Sequence, residues 1–372
     1  MGFREELTEL LAAADIKVGG SRPWDPQIVN EEVFSRIATG GRLAAGEAFM
    51  DRQWDVESLD EMVYRLMSTD LRWEKVLSAG MAMVWLREKL LNRQRPSRAF
   101  VVGEAHYDLG NDLYTHMLDK RMVYTCGYWK NAQTLDEAQE AKLDLVCRKL
   151  DLKKGDRVLD IGCGWGSFMK YASEHYGVSC VGLSVSEGQT KLGREMCEGL
   201  PIEFVVNDYR HFHSNHQFDH VVSIEMFEAV GHKNYRTFMR KVASLLKDGG
   251  RFLLQTIGST HPRPDADPWI ERYIFPNGIL PSRPLIERAI RSVFTAHDWH
   301  DIGHDYDRTL LAWWKNFTEH YHELDHSKYD DRFYRMWQYY LLMCAGGFRS
   351  GELLDWQIML TKGSGFKLAE IR

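Results

Sequence analysis

The side chains whose types and spacing can do chemistry follow short apolar runs. In RVLDIGCGWGS, Arg157 to Ser167, the residues Val158, Leu159 and Ile161 read as a buried strand, and Gly162, Gly164 and Gly166 break it. Phe168, Tyr171 and Ala172 then recur at helical spacing. Glycines so placed permit positive φ and close approach of a bulky ligand, and the free N–H groups of the following helix favour a carboxylate or phosphate. Asp160, at the strand's end, can accept from a ligand's ammonium or hydroxyl. The spacing is Gly-x-Gly-x-Gly rather than the dinucleotide Gly-x-Gly-x-x-Gly, so the expected ligand is a nucleoside without a pyrophosphate. A plain strand-to-helix turn is the alternative.

Three further clusters follow apolar runs. After Ser179 to Leu183, Ser184 and Gln189 stand where many nucleoside-binding sheets offer an acid to ribose hydroxyls. After Ile202 to Val206, Asn207, Asp208, Tyr209 and Arg210 put polar and aromatic groups where an adenine can lie. After Phe218 to Ile224, the stretch IEMFEAVG sets Glu225 and Glu228 at i and i+3, on one face of a helical turn, or else as ordinary surface acids. Cys126, Cys147, Cys163, Cys180, Cys197 and Cys344 form no Cys-x-x-Cys pair and have no His at zinc spacing, so reduced thiols and no metal are expected.

The elements that must position these groups alternate. Helices at Glu187 to Glu198 and Tyr235 to Leu246 separate strands, Arg251 to Ile257 is a further strand, and Trp356 to Leu360 is available to close the sheet. Such alternation gives a mostly parallel α/β sheet with ligands at the carboxyl ends of its strands. Residues 1–90 read as a separate helical domain for packing or dimerisation, with a lipid-surface role as the alternative. In it Leu7, Leu10 and Leu11 mark one helix, Val33, Phe34 and Ile37 another stopped at Gly40 and Gly41, and Ser58 with Glu61 a capping box. A basic linker at 91–103 follows. Its bases begin at Arg87 and run to Arg98, beside Met83, Val84, Trp85 and Leu86, a composition suited to a solvated helix end or an anionic bilayer. Between Gly258 and Phe294 the alternation stops in a Pro-rich aromatic insertion of a kind that covers sites. Beyond it Leu310, Trp313, Trp314, Phe317 and Tyr321 form an aromatic stripe, read as core or as the wall of a pocket for a greasy substrate.

Net charge of -6 gives no support for nucleic-acid binding. The start, MGFREELTEL, carries acids where a secretory signal carries bases, and no apolar run reaches the roughly 18 residues of a membrane span. The expectation is a cytoplasmic protein that touches the inner face of a membrane transiently and only at its surface.

Taken together, GEAFMDRQWD from Gly46, HYDLGNDLY from His106, YTCGYW from Tyr124, VLDIGCGWG from Val158, MFEAVG from Met226, TIGS from Thr256, DPWIERYIFPNGILPS from Asp267, DYDRTLLAWW from Asp305 and YYLLMCAGGFR from Tyr339 resemble the cyclopropane-fatty-acyl-phospholipid and mycolic acid cyclopropane synthases. The resemblance runs through nearly the whole chain. It implies a class I S-adenosylmethionine-dependent methyltransferase fold, Rossmann-like with a seven-stranded sheet, at 104–372 after the small helical domain. The implied reaction is methylene transfer to the cis double bond of an unsaturated acyl chain in a bilayer phospholipid. The implied cofactor contacts are Tyr124, Thr125, Asp160, Gly162, Gly164, Gly166, Ser184, Gln189, Tyr209 and Arg210. The implied active-site groups are His106, Cys126, Glu228, Tyr306 and Cys344, with a bicarbonate ion also touched by the Ile257 backbone.

Residue chemistry suits that reaction. An alkene is a poor nucleophile, so the methyl donor must be held in line with it. Attack leaves a carbocation, which a dry pocket lined with ring faces protects. Ring closure needs a base near the new methyl, and a bicarbonate oriented by Glu228 and the Tyr306 hydroxyl would serve. A thiolate beside a sulfonium would trap the methyl, so Cys344 is expected as pocket wall. In two places the chain departs from the family: Gln255 stands where a histidine helps to bind bicarbonate, and Ala229 where Phe-Glu-His is usual. Glutamine cannot carry a proton at neutral pH, which bears on the bicarbonate. The alternatives are a same-fold methyltransferase of another lipid or small molecule, and a catalytically decayed lipid- or cofactor-binding regulator.

Overall fold

A computed structural model describes residues 2–69, 110–260 and 267–363. The linker at 91–103, the bases from Arg87 to Arg98, and His106 lie outside the described residues. The chain packs as two compact units.

The first unit draws on residues 2–69, 267–276 and 306–353. Helix α1 (Phe3–Ala13) buries Leu11, and α2 (Glu32–Met50) is bent where Gly41 takes φ 59. The Gly40-Gly41 pair thus breaks the helix as its sequence demands, and the chain resumes helix beyond it. A short antiparallel pair, β1 (Gln27–Ile28) and β2 (Trp54–Asp55), precedes α3 (Leu59–Met67). The expected capping box does not form. Ser58 is the N-cap residue but its hydroxyl makes no cap bond, and Glu61 instead accepts from Arg65 Nε at 2.8 Å.

Three later elements, α9 (Pro268–Tyr273), α11 (Gly303–His320) from Tyr306 onward and α12 (Asp331–Arg349), belong to this same unit. Leu342 joins Ile16, Val33, Phe49, Trp54, Leu59 and Met62 in one core, with Leu311, Trp314 and Tyr339 against it. The aromatic stripe is therefore largely core: Trp313, Phe317 and Trp337 are buried, and Phe333 stacks on Trp337. Arg335 and Arg349 tie the helices. Arg335 donates from Nε to the Phe49 carbonyl at 2.6 Å and lies over the Phe49 ring. Arg349 meets Asp307 at 2.9 and 3.0 Å, and also Asp60 and Glu61.

The second unit holds residues 110–260, 277–305 and 354–363. Its helices include α4 (Asn111–Met117), α5 (Leu135–Leu150), α6 (Ser167–Tyr176), α7 (Glu187–Met196), α8 (Tyr235–Leu245) and α10 (Arg283–Ile290). Its strands are β3 (Arg157–Ile161), β4 (Ser179–Ser184), β5 (Ile202–Val206), β6 (Phe218–Ile224), β7 (Leu246–Ser259), β8 (Thr295–Asp301) and β9 (Leu353–Thr361). They form one seven-stranded sheet in the order β5-β4-β3-β6-β7-β9-β8. The first five are parallel, and β8 runs antiparallel to β9. The sheet ends on β8 rather than on the stretch from Trp356 to Leu360, because TAHDWHD lacks the apolar run that marks a strand.

Alternate residues of each strand enter opposite apolar layers. Leu159, Val221, Leu254 and Ile358 pack with Phe238 and Val242 of α8, while Val158, Val222, Leu253 and Met359 pack with Val146 of α5 and Phe168 of α6. No helix among the described residues is long and apolar enough to cross a membrane.

The close contact of α12 with α3 is testable. A Cβ on Gly346 would stand 2.4 Å from the Asp60 carbonyl oxygen, which is backbone, whereas one on Gly347 would meet the Leu353 side chain at 2.9 Å. Gly346→Ala is expected to cost about 1–3 kcal/mol in denaturant unfolding, and Gly347→Ala distinctly less.

Candidate active site

Strand β3 lies between β4 and β6, so the connections leaving its two neighbours diverge there, and parallel sheets bind ligands at such a point. Gly162, Gly164 and Gly166 all have positive φ. They differ in what surrounds them. A Cβ on Gly162 would meet Met226 at 2.6 Å and one on Gly166 would meet Phe204 at 2.4 Å, so these two glycines serve packing. On Gly164 the nearest atom would be Gln189 Nε2, at 3.9 Å, which leaves room beside the turn. Asp160 is buried, and burial pushes its carboxyl up to about 7 against the pull of Lys142.

The flanking residues are held by their neighbours. Lys142 Nζ donates to Thr125 Oγ1 at 2.6 Å, and Gln139 Nε2 to the Thr125 carbonyl at 2.8 Å. Both belong to α5, whose buried face also carries Leu143, Val146 and Leu150. Sequence reasoning missed them, although two polar residues on the apolar stripe of a helix were the available signal. Tyr124 packs edge-on against Tyr114, whose ring also meets Trp165. The Ser184 hydroxyl accepts from Ser186 N at 3.1 Å, and the Ser186 hydroxyl caps α7 by accepting from Gln189 N. Tyr209 packs edge-on on Phe238. The Arg210 guanidinium grips both oxygens of Asp208, an ion pair that shapes this loop.

Acids gather where β6 and β7 end. Glu225 has φ 51, outside the range glutamate prefers. Its Oε1 accepts from Cys126 N at 2.8 Å and from Gln255 Nε2 at 3.0 Å. Gln255 Nε2 also donates to Asp355 Oδ2 at 2.8 Å, and its Oε1 accepts from Gln357 Nε2 at 3.1 Å. Glu228, in a short 3-10 turn (Phe227–Ala229), accepts through Oε1 from Thr256 Oγ1 at 2.7 Å and from Ile257 N. Its Oε2 is buried without a hydrogen-bond partner among the described residues, and burial, then the charge of Glu225, raise the carboxyl to about 7. Burial likewise drives Asp355 far above the ordinary range, so it holds its proton. The Cys126 thiol, wholly buried, is raised as well.

Cys126, Glu228, Gln255 and Ile257 are thus brought together in the second unit, with Glu225, which the sequence singled out beside Glu228 but not as an active-site group, and with Asp355, which it did not single out. Tyr306 and Cys344 belong to the first unit. There Tyr306 stacks on Phe348 at 4.4 Å and meets Trp313 edge-on. Burial raises the Cys344 thiol to about 12, which keeps it protonated and unreactive. His106 lies outside the described residues.

The family described as mycolic acid cyclopropane synthetase matches residues 94–358. The cyclopropane-fatty-acyl-phospholipid synthase of Escherichia coli strain K12 is 44% identical over 363 residues, covering 97% of this chain and 94% of its own. A cyclopropane synthase from Mycobacterium tuberculosis has a solved structure that is 31% identical with a TM-score of 0.67, covering 73% of this chain and 100% of that one. A mycolic acid cyclopropane synthase solved in complex with SAH and CTAB is also 31% identical, with a TM-score of 0.66, covering 71% of this chain and 98% of that one. The seven-stranded sheet is accordingly that of the class I S-adenosylmethionine-dependent methyltransferases, and the chain belongs to the mycolic acid cyclopropane synthetase family.

Proposed function

We propose that this chain transfers a methylene group from S-adenosylmethionine to the cis double bond of an unsaturated acyl chain in a membrane phospholipid, forming a cyclopropane. The observation that carries the reading is the joining, in one unit, of an open glycine turn with an acid-lined end of β6 and β7. The family likeness supplies the substrate class.

The room beside Gly164 and the buried Asp160 carboxyl fit the cofactor. Tyr124, Thr125, Asp160, Gly164, Ser184, Gln189 and Tyr209 would hold it, with Gly162, Gly166 and Arg210 shaping their loops. When bound, it supplies a methyl group on a positively charged sulfur. Around that group the chain's work is to hold the alkene in line with the methyl, to exclude water and to accept one proton.

A bicarbonate fits less well. An anion needs donors, yet Cys126 N, Ile257 N and both hydrogens of the Gln255 amide are already bound to Glu225, Glu228 and Asp355. Among the described residues of the second unit Glu228 Oε2 remains, and it donates only while the carboxyl keeps its proton. No step is therefore assigned to the ion.

The double bond lies mid-chain, and each methylene taken out of lipid forfeits about 0.8 kcal/mol unless protein replaces the contact. The enzyme must then work at a bilayer surface, on the cytoplasmic side in this reading. The N-terminal helical segment and the bases from Arg87 to Arg98 are the proposed docking elements, and the helical segment is the proposed dimer contact.

Incubation of the purified protein with methyl-labelled S-adenosylmethionine and phospholipid vesicles checks the activity. Acyl chains should gain one labelled methylene and lose the alkene in cis-unsaturated vesicles, with no label in saturated ones. Label in neither lipid, despite cofactor binding, would overturn the reading. Asp160→Asn should weaken S-adenosylhomocysteine binding in calorimetry by about 10- to 100-fold, the worth of a hydrogen bond to a charged group.

Asp160 and Glu228 hold protons up to about pH 7, whereas the unfolded chain releases them near pH 4. The folded state binds more protons in that window, so their contribution to stability falls as pH rises through it. The ligand-free protein should melt a few degrees lower at pH 7.5 than at pH 6, and Asp160→Asn should flatten that slope.

A further inference from the structure

At the position where the family resemblance expects a histidine that helps to bind bicarbonate, Gln255 is engaged by a carboxylate of this chain's own. Cys126 N and Gln255 Nε2 converge on one atom, Glu225 Oε1, at 2.8 and 3.0 Å. The second hydrogen of the Gln255 amide is fixed on Asp355 and its oxygen on Gln357, so the amide cannot turn toward another anion. Gln255 and Asp355 are wholly buried, whereas Glu225 is half-buried. Glu225 reaches this position from a backbone with φ 51, a conformation that glycine takes freely and glutamate only at a cost. Burial lowers the hold of the Lys142 ammonium on its proton, and the charge of Glu225 opposes that shift.

We infer that the Glu225 carboxylate takes the place of bicarbonate in this chain and is the general base of ring closure. The inference rests on the methylene-transfer reading above. The alkene's π pair forms the bond to the methyl carbon while the carbon–sulfur pair departs with sulfur, leaving the second alkene carbon cationic. A Glu225 oxygen then takes one proton from the transferred methyl, and the pair of that C–H bond closes the ring. The positive charge that entered on sulfur leaves as this proton, which passes from Glu225 to water between turnovers. Gln255, in this arrangement, is a positioning residue.

The test uses the full chain, cis-unsaturated phospholipid vesicles and methyl-labelled S-adenosylmethionine, in buffer stripped of carbon dioxide and in the same buffer with added bicarbonate. The wild-type rate should agree within threefold between the two, and a larger loss on stripping overturns the inference. Glu225→Gln should be at least thirtyfold slower in both buffers. Glu225→Gly relieves the backbone and opens the site, so it should be as slow in stripped buffer and recover at least tenfold with bicarbonate. A Glu225→Gly variant that keeps the wild-type rate in stripped buffer also overturns the inference. Melting midpoint and S-adenosylhomocysteine binding establish that each variant is folded, and if neither folds the wild-type comparison decides alone. Absence of cyclopropane from the wild type in both buffers would instead remove the synthase reading on which the inference stands.

Discussion

A carboxyl group taken out of water must find a donor, a cation or a proton, and the second unit answers that constraint three ways within one cluster. Glu225 takes two donors and the field of Lys142, Glu228 takes two donors and a raised affinity for its proton, and Asp355 keeps its proton outright. Gln255 makes this partition workable. A neutral amide with two hydrogens satisfies one oxygen on each of two acids and adds no charge of its own. A histidine there would carry at most one proton in the neutral ring, and the acids could not be satisfied in the same manner.

The sheet places the cluster. Because β3, β6 and β7 are parallel and adjacent, the residues that follow them emerge at the same end, and three segments distant in sequence meet there. Their alternating apolar residues bury both faces, so the sheet is fixed by hydrophobic packing on either side while its end carries the polar work. Gly164 and Glu225 show two uses of positive φ at that end. One leaves a space, and the other aims a side chain.

Much of this frame was legible in the sequence. The strands at Ile202–Val206 and Phe218–Ile224 coincide with the expected runs, since buried parallel strands are apolar throughout and stand between turn residues. The glycine turn and the likeness of its flanking motifs gave the fold. What escaped was what depends on distant partners. β8 is a polar edge strand, Ser58 has capping chemistry that its φ and ψ do not use, and Lys142 reads as an ordinary helix lysine. Glu225 and Glu228 read as acids on one face of a helical turn or as ordinary surface acids, whereas the left-handed backbone at Glu225 sends the first toward Cys126 and Gln255 and leaves the second to Thr256 and Ile257. That conformation has no signature in a string of residue types.

The first unit has a consequence for how the chain is made. Its core joins Leu11, Phe49 and Met62 to Leu342, with Leu311 and Trp314 alongside, so residues synthesised early are sealed by residues synthesised much later. While the ribosome adds the intervening sequence, the early helices keep their apolar faces exposed to solvent or to whatever chaperone meets them. Closing that unit is a long-range event with a high loop-closure cost, whereas the β3-to-β7 portion of the sheet pairs strands as they appear. A nascent chain arrested before residue 306 would leave the amino-terminal helices as a sticky, unfinished fragment beside a largely assembled sheet.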